Sequence, residues 1–198
     1  MPIAWVFKNS YCRHFCAKDW AFCYGLDALF RLVFDEHCDC AKAIKSRDGL
    51  RLMSLEIRSI NKKDENDWRS LWCAYLEYYE ATVSEEVYQA TFSRLIDPDH
   101  QAQQGLLALK DGKAIGLVHY IYHAHNWRVE DVCYLQDLYT DPSVRGTGAG
   151  RALIEAVYDA ADENGTSSVY WLTQDFNQTA RHLYDRVATL TPFIKYQR

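Results

Sequence analysis

The run DPSVRGTGAGRALIEA, Asp141 to Ala156, constrains this chain more than any other feature. Gly146, Gly148 and Gly150 alternate with Thr147 and Ala149, Arg145 and Arg151 flank them, and an amphipathic stretch follows at once. A glycine-rich loop that opens into a helix gathers free main-chain N–H groups at the positive end of a helix dipole, which suits a phosphate. Spacing excludes two common phosphate seats. A P-loop needs G-x-x-x-x-G-K-[ST], and no Gly-Lys-Ser/Thr run occurs here, Arg151-Ala152 following the last of these glycines. The dinucleotide fingerprint G-x-G-x-x-G would put its third glycine at Arg151 or Leu153, and TDPSV separates the loop from the strand before it. What remains is Arg145-x-x-Gly148-x-Gly150 at a helix start, downstream of the strand-like YLQDLYT.

The surrounding pattern predicts a mixed α/β layer fold. SLEIRSI alternates like a first strand, and Asp64 is placed to cap a helix with apolar residues at Trp68, Trp72, Tyr75 and Tyr79. A second helix covers about 84–95. GLLALKDGKAIGLVHYIYHA reads as a hairpin turning at Asp111-Gly112, and VCYLQDLYT as the next strand. The helix after the loop, about 149–164, buries Leu153, Ile154, Val157 and Ala160 and stops at Gly165. SSVYWLTQ predicts a strand, Thr179 to Arg186 a short helix, and PFIKYQ a last strand, giving the order β-α-α-β-β-β-α-β-α-β.

The first fifty-two residues differ. Cys12, Cys16, Cys23, Cys38 and Cys40, five of the seven cysteines, crowd there beside His14 and His37. Their spacing lacks the paired knuckles of zinc ribbons, and no metal site is expected. The clean pattern begins at Met53, so residues 1–52 are taken as an N-terminal extension, with Met53 the expected natural start of the domain 53–198. No apolar run reaches membrane-span length, and charges interrupt the N-terminus where a secretory signal would be apolar. A cytoplasmic protein with reduced thiols is expected. A net charge of −5 argues against nucleic-acid binding and is compatible with a cationic substrate.

The Arg145-x-x-Gly148-x-Gly150 loop resembles the acetyl-CoA loop of the GCN5-related N-acetyltransferase (GNAT) superfamily. DFNQTARHLYDRVA is similar to that superfamily's second signature. CYLQDLYTDPSVRG, VYWLTQDFN, HAHNW and the ending TPFIKYQR resemble its polyamine, D-amino-acid and histone acetyltransferase branch. The resemblance implies a GNAT fold, α/β, with a mostly antiparallel central sheet flanked by helices and splayed at the acetyl-CoA strand. It implies acetyl-CoA as acyl donor and a primary amine (polyamine, amino acid or peptide lysine) as acceptor, joined by direct attack in a ternary complex. Main-chain groups of Leu138, Tyr139 and Thr140 would hold pantetheine. Gly146, Thr147, Gly148, Ala149, Gly150 and Arg151 would hold the pyrophosphate, with charge from Arg145 and Arg151. Asn177 would lie near the cofactor arm, and Tyr184 near the sulfur as general acid, since a phenol stays protonated at neutral pH.

The general base is open. The branch often reads L-E-D where this chain reads Leu135-Gln136-Asp137, and Gln136 cannot take a proton. Alternation turns Asp137 to the other strand face unless a bulge intervenes. A water chain, His119 or His123 are the alternatives. His119, His123 and His125 share a strand face by odd numbering, but such positions converge poorly on one ion. Glu77, Tyr78 and Glu80 are candidates to line an amine pocket, with His123, Gln136 and Asp137 as further substrate neighbours. Two rival functions are a catalytically weak acyl-CoA-binding regulatory module, kept alive by Gln136, and a nucleic-acid-binding protein with a zinc-bearing N-terminus. Exposed sheet edges and a C-terminal strand are compatible with a homodimer.

Overall fold

A computed structural model describes residues 55–198; the expectations about residues 1–52 and about Met53 lie outside the described residues. The chain runs β1 (Leu55–Ser59), a 3₁₀ turn (Lys62–Asp64), α1 (Glu65–Tyr78), α2 (Glu85–Ile96), β2 (Gln103–Lys110), β3 (Lys113–His123) and β4 (Val132–Thr140). A second 3₁₀ turn (Pro142–Val144), α3 (Ala149–Glu163), β5 (Val169–Tyr170) and α4 (Gln178–Val187) complete it. The strands form one sheet in the order β1-β2-β3-β4-β5. All neighbours are antiparallel except β4 and β5, which are parallel.

Successive strand residues point to opposite faces, so β2 and β3 divide their apolar side chains between two helical layers. Leu107, Leu109 and Leu117 pack under α1 and α2 with Trp68, Leu71, Trp72, Phe92 and Leu95. Leu106, Ala108 and Val118 pack under α3 with Leu153, Ile154 and Val157. The hairpin turns at Asp111 and Gly112, both at positive φ (52° and 82°), which matches the twist of the strands it joins. α3 buries Ala161 and leaves Ala160 partly covered, and Gly165, at φ 71°, follows its end.

Asp64 stands at the start of α1 but does not cap it. Its carboxylate receives two hydrogen bonds from Arg58, at 2.6 and 2.9 Å, and one from the Asn61 N–H. The Arg58 guanidinium holds Asp64 below the usual carboxylate range despite burial. A carboxylate with a depressed folded-state pKa stabilises fully above its unfolded pKa and ceases to do so as pH falls through the folded value. Asp64→Ala is therefore expected to lower stability by about 2 kcal/mol at neutral pH, and the gap between the two proteins should narrow below about pH 4 in urea titrations.

The C-terminal end departs from the sequence pattern. Of SSVYWLTQ only Val169 and Tyr170 pair, and residues 189–198, including PFIKYQ, form neither helix nor strand. Leu190, Phe193, Ile194 and Tyr196 are 74–88% exposed. An apolar run records a tendency to be buried without naming the surface that buries it, and a strand needs a ladder partner that composition does not specify.

Candidate active site

The glycine-rich loop between β4 and α3 is built by its short residues. The Asp141 carboxylate accepts from the N–H and hydroxyl of Ser143 (2.8 and 2.7 Å), while the Asp141 N–H donates to the Ile115 carbonyl and ties the loop to the sheet. Gly146 and Gly148 sit at φ 80° and 90°, conformations that suit glycine, with nothing among the described residues within 4 Å of where a Cβ would stand. Gly148 leads into α3 without a side-chain cap. The N–H groups of Ala149, Gly150 and Arg151, in the first turn of a 15-residue helix, find no acceptor among the described residues. Arg145 is exposed and makes no ion pair among the described residues; Arg151 is held by Glu155 at 2.8 Å. Open space, free donors and a nearby cation fit a pyrophosphate.

Beside the loop, β4 pairs with β5 at only two positions, Cys133 with Val169 and Tyr134 with Tyr170. From Leu135 to Thr140 that side of β4 carries no strand partner among the described residues, while its other side stays paired with β3 as far as Gly116–Thr140. This is the splay, and it leaves main-chain groups around Leu138, Tyr139 and Thr140 open to an extended ligand. Gly116 matters to it, because a Cβ there would lie 2.8 Å from the Tyr139 carbonyl oxygen. That close approach had no sequence signal.

A bulge settles which way Asp137 points. His119 pairs with Asp137 and Tyr120 with Leu135, so Gln136 is the unpaired extra residue. One inserted residue reverses the alternation behind it. Leu135 remains under α3, Gln136 turns outward and exposed, and Asp137 is buried on the α1 side. There its Oδ2 lies 2.9 Å from His119 Nδ1, and His119 Nε2 accepts from the Trp68 indole at 2.8 Å. Burial and the Asp137 charge push the phenol of Tyr75 well above its ordinary range, and the same causes raise Tyr79 and Tyr134.

Tyr184 comes from α4, on the opposite layer, packed edge-on against Trp171 with ring centroids 5.3 Å apart. Burial, with smaller contributions from Tyr79 and Tyr78, pushes its pKa up to about 12. Tyr79 thus lies within electrostatic reach of both Asp137 and Tyr184, linking the two sides of the splayed sheet. Of the aromatic positions along α1, Trp68 and Trp72 are core, while Tyr75 and Tyr79 are less covered and feel the Asp137 charge.

The remaining candidates scatter. Tyr78 is exposed beside Tyr79, with Glu77 exposed one position before and Glu80 just past the helix end at φ 52°. Asn177 caps α4, its side-chain oxygen accepting from the Ala180 N–H at 3.4 Å. The three histidines do not share one environment. His119 is buried on Trp68 and Asp137, His123 is exposed with Nε2 3.0 Å from the Tyr170 hydroxyl, and His125 lies past the strand against Trp127. Among the described residues no group of three or more potential ligands is placed to hold a metal. Cys133 is buried and its thiol is pushed up to about 12 by burial, the opposite of an activated nucleophile.

A sequence model described as the acetyltransferase (GNAT) family matches residues 68–188. The D-amino-acid N-acetyltransferase HPA3 of Saccharomyces cerevisiae is 42% identical over 144 residues, covering 72% of this chain and 89% of that protein. A thialysine N-epsilon-acetyltransferase of Caenorhabditis elegans is 29% identical over 91 residues, 46% of this chain and 56% of that one. Among solved structures, the aminoglycoside N-acetyltransferase AAC(6')-Iy in complex with CoA superposes with a TM-score of 0.65 at 20% identity, over 75% of this chain and 96% of its own. The ribosomal-protein-alanine N-acetyltransferase of Brucella melitensis biovar Abortus 2308 gives 0.59 at 19% identity, over 73% and 98%. This chain therefore belongs to the GNAT acetyltransferase family and transfers an acetyl group from acetyl-CoA to an amine.

Proposed function

We propose that the enzyme N-acetylates small primary amines of the amino-acid type, D-amino acids among them, by direct attack in a ternary complex. The substrate class rests on the 42% identity to HPA3. The observation that supports the site is the splay between β4 and β5, taken with the uncapped start of α3 and with Tyr184 on α4 within electrostatic reach of Tyr79. Acetyl-CoA, when bound, supplies an activated thioester. In the loop Gly146 to Arg151 the N–H groups of Ala149, Gly150 and Arg151 hold its pyrophosphate, with Arg145 adding charge, while Thr147 shapes the turn through its N–H and hydroxyl, both donated to the Val144 carbonyl. The main chain of Leu138, Tyr139 and Thr140 orients pantetheine and donates to the thioester oxygen. Asn177 shapes the arm's path by fixing the start of α4. Tyr184 protonates the departing sulfur.

On the amine side, Tyr78 and Tyr79 wall an ammonium, and Glu77 and Glu80 at the exposed end of α1 draw cations toward it. Gln136 and His123 line the outer rim. A module that binds acyl-CoA without chemistry draws its support from Gln136, yet the buried position beside the phenols belongs to Asp137. The high pKa of Cys133 supports direct attack over an acyl-enzyme.

We assign the catalytic domain to residues 53–198 and its location to the cytoplasm; among the described residues no helix is long and apolar enough to cross a membrane. The exposed apolar tail, Leu190 to Tyr196, supports a homodimer in which a second copy covers it. The test is a panel of D- and L-amino acids, polyamines and a lysine-rich peptide incubated with acetyl-CoA and read by product mass. D-amino acids should be acetylated at least about tenfold faster than polyamines. Preference for the peptide or polyamines would overturn the substrate class.

A further inference from the structure

We propose that Asp137 is the proton acceptor for the incoming ammonium, and that Trp68 and His119 are positioning residues that hold it ready; this rests on the acetyl-transfer site described above. The tautomer follows from donor inventory. An indole nitrogen only donates, so at 2.8 Å from Trp68 Nε1 the His119 Nε2 carries a lone pair. The ring proton is then on Nδ1, which donates to Asp137 Oδ2 at 2.9 Å. Trp68, His119 and Asp137 are 0%, 2% and 7% exposed, so water competes little for these bonds. Both imidazole nitrogens are engaged, and His119 has no lone pair left for a substrate proton.

Asp137 has. The groups that face it are His119 from β3, Tyr75 and Tyr79 from α1, and Tyr134 on its own strand. Among the described residues neither Lys nor Arg pairs with it. The carboxylate is held by neutral donors, His119 and Tyr75, and an ammonium ligand is the cation that this arrangement leaves room for. Gly105, opposite His119 in the β2–β3 register, leaves room for the ring: a Cβ there would lie 3.2 Å from His119 Cδ2.

The proton balance closes on these residues. Asp137 takes one proton from R–NH₃⁺, and the freed nitrogen pair forms the N–C bond as the C–S bond breaks. Tyr184 gives its phenolic proton to the sulfur, the new amide nitrogen returns its surplus proton to Tyr184, and Asp137 releases its proton to solvent.

The experiment uses the full chain, with D-phenylalanine and its methyl ester, whose amine is the weaker base, as probes. Asp137→Asn should lower kcat/KM for D-phenylalanine about 10²- to 10⁴-fold at pH 7.5, with acetyl-CoA affinity unchanged. That deficit should shrink as pH rises and be smaller for the ester, because both supply amine that has already lost its proton. A deficit of the same factor at every pH and for both probes would overturn the assignment. His119→Asn, whose amide reaches the Nδ1 position, should keep kcat within about fivefold, whereas His119→Leu should lose at least about tenfold without a change in acetyl-CoA affinity. Equal kcat in the two would remove His119 from the positioning role. ¹⁵N NMR of the unmutated protein should show His119 Nε2 as the unprotonated ring nitrogen at neutral pH; a protonated Nε2 contradicts the chain of donors. Tyr184→Phe in the same assays reads the acid separately, so a silent Tyr184→Phe beside a pH-dependent Asp137→Asn deficit would displace the acid and leave the base standing.

Discussion

Tyr184→Phe is expected to lower kcat about 10²- to 10³-fold while acetyl-CoA affinity stays within about twofold. Phe keeps the ring that packs on Trp171 and removes only the hydroxyl, so fold and arm binding are untouched. The phenol is suited to donate because burial holds its pKa near 12; it is protonated throughout the neutral and mildly alkaline range, and loss of the acid form should appear only as pH approaches that value. A departing thiolate without a donor must leave as the anion, which slows C–S cleavage and leaves ground-state binding alone. Stopped-flow turnover with calorimetric acetyl-CoA binding separates the two quantities. Equal loss of both would make Tyr184 a packing residue.

The second large effect is at the loop. Gly148→Glu should weaken acetyl-CoA binding by at least about 10²-fold, to the limit of calorimetric detection. Two costs combine. Gly148 sits at φ 90°, where a side chain adds about 1–2 kcal/mol of strain. The new carboxylate would also stand at the uncapped start of α3, where it takes the N–H groups and repels phosphate. Gly150→Ala is the contrast. Its added methyl would meet Leu183 at 3.5 Å and Thr140 at 3.7 Å, ordinary contact, so binding should persist. Comparable loss in both variants would mean that the loop senses bulk of any kind, and the phosphate-seat assignment would fall.

Much of the fold was legible because its signals are local. The Asp111-Gly112 turn, the period of α3 and the start of β4 at Val132 all sit where residue pattern places them. The errors have local causes too. Asp64 carries the right side chain at the right place to cap α1, but Arg58, brought in by β1, offers a stronger partner. PFIKYQ has strand-like content, yet among the described residues it meets no strand to pair with.

By itself the sequence determined the glycine-rich turn, the helix it opens into and the helix that carries Tyr184, since spacing within one segment is enough to specify each. Tertiary structure decided which way Asp137 faces. Whether Asp137 faces α1 or α3 depends on parity along β4, and one unpaired residue, Gln136, reverses that parity without leaving a mark in composition. The Trp68–His119 bond joins residues 51 positions apart, and Tyr79 comes within electrostatic reach of Tyr184, which lies 105 positions further along the chain. Such contacts belong to the packing of whole layers, whose geometry no single segment contains.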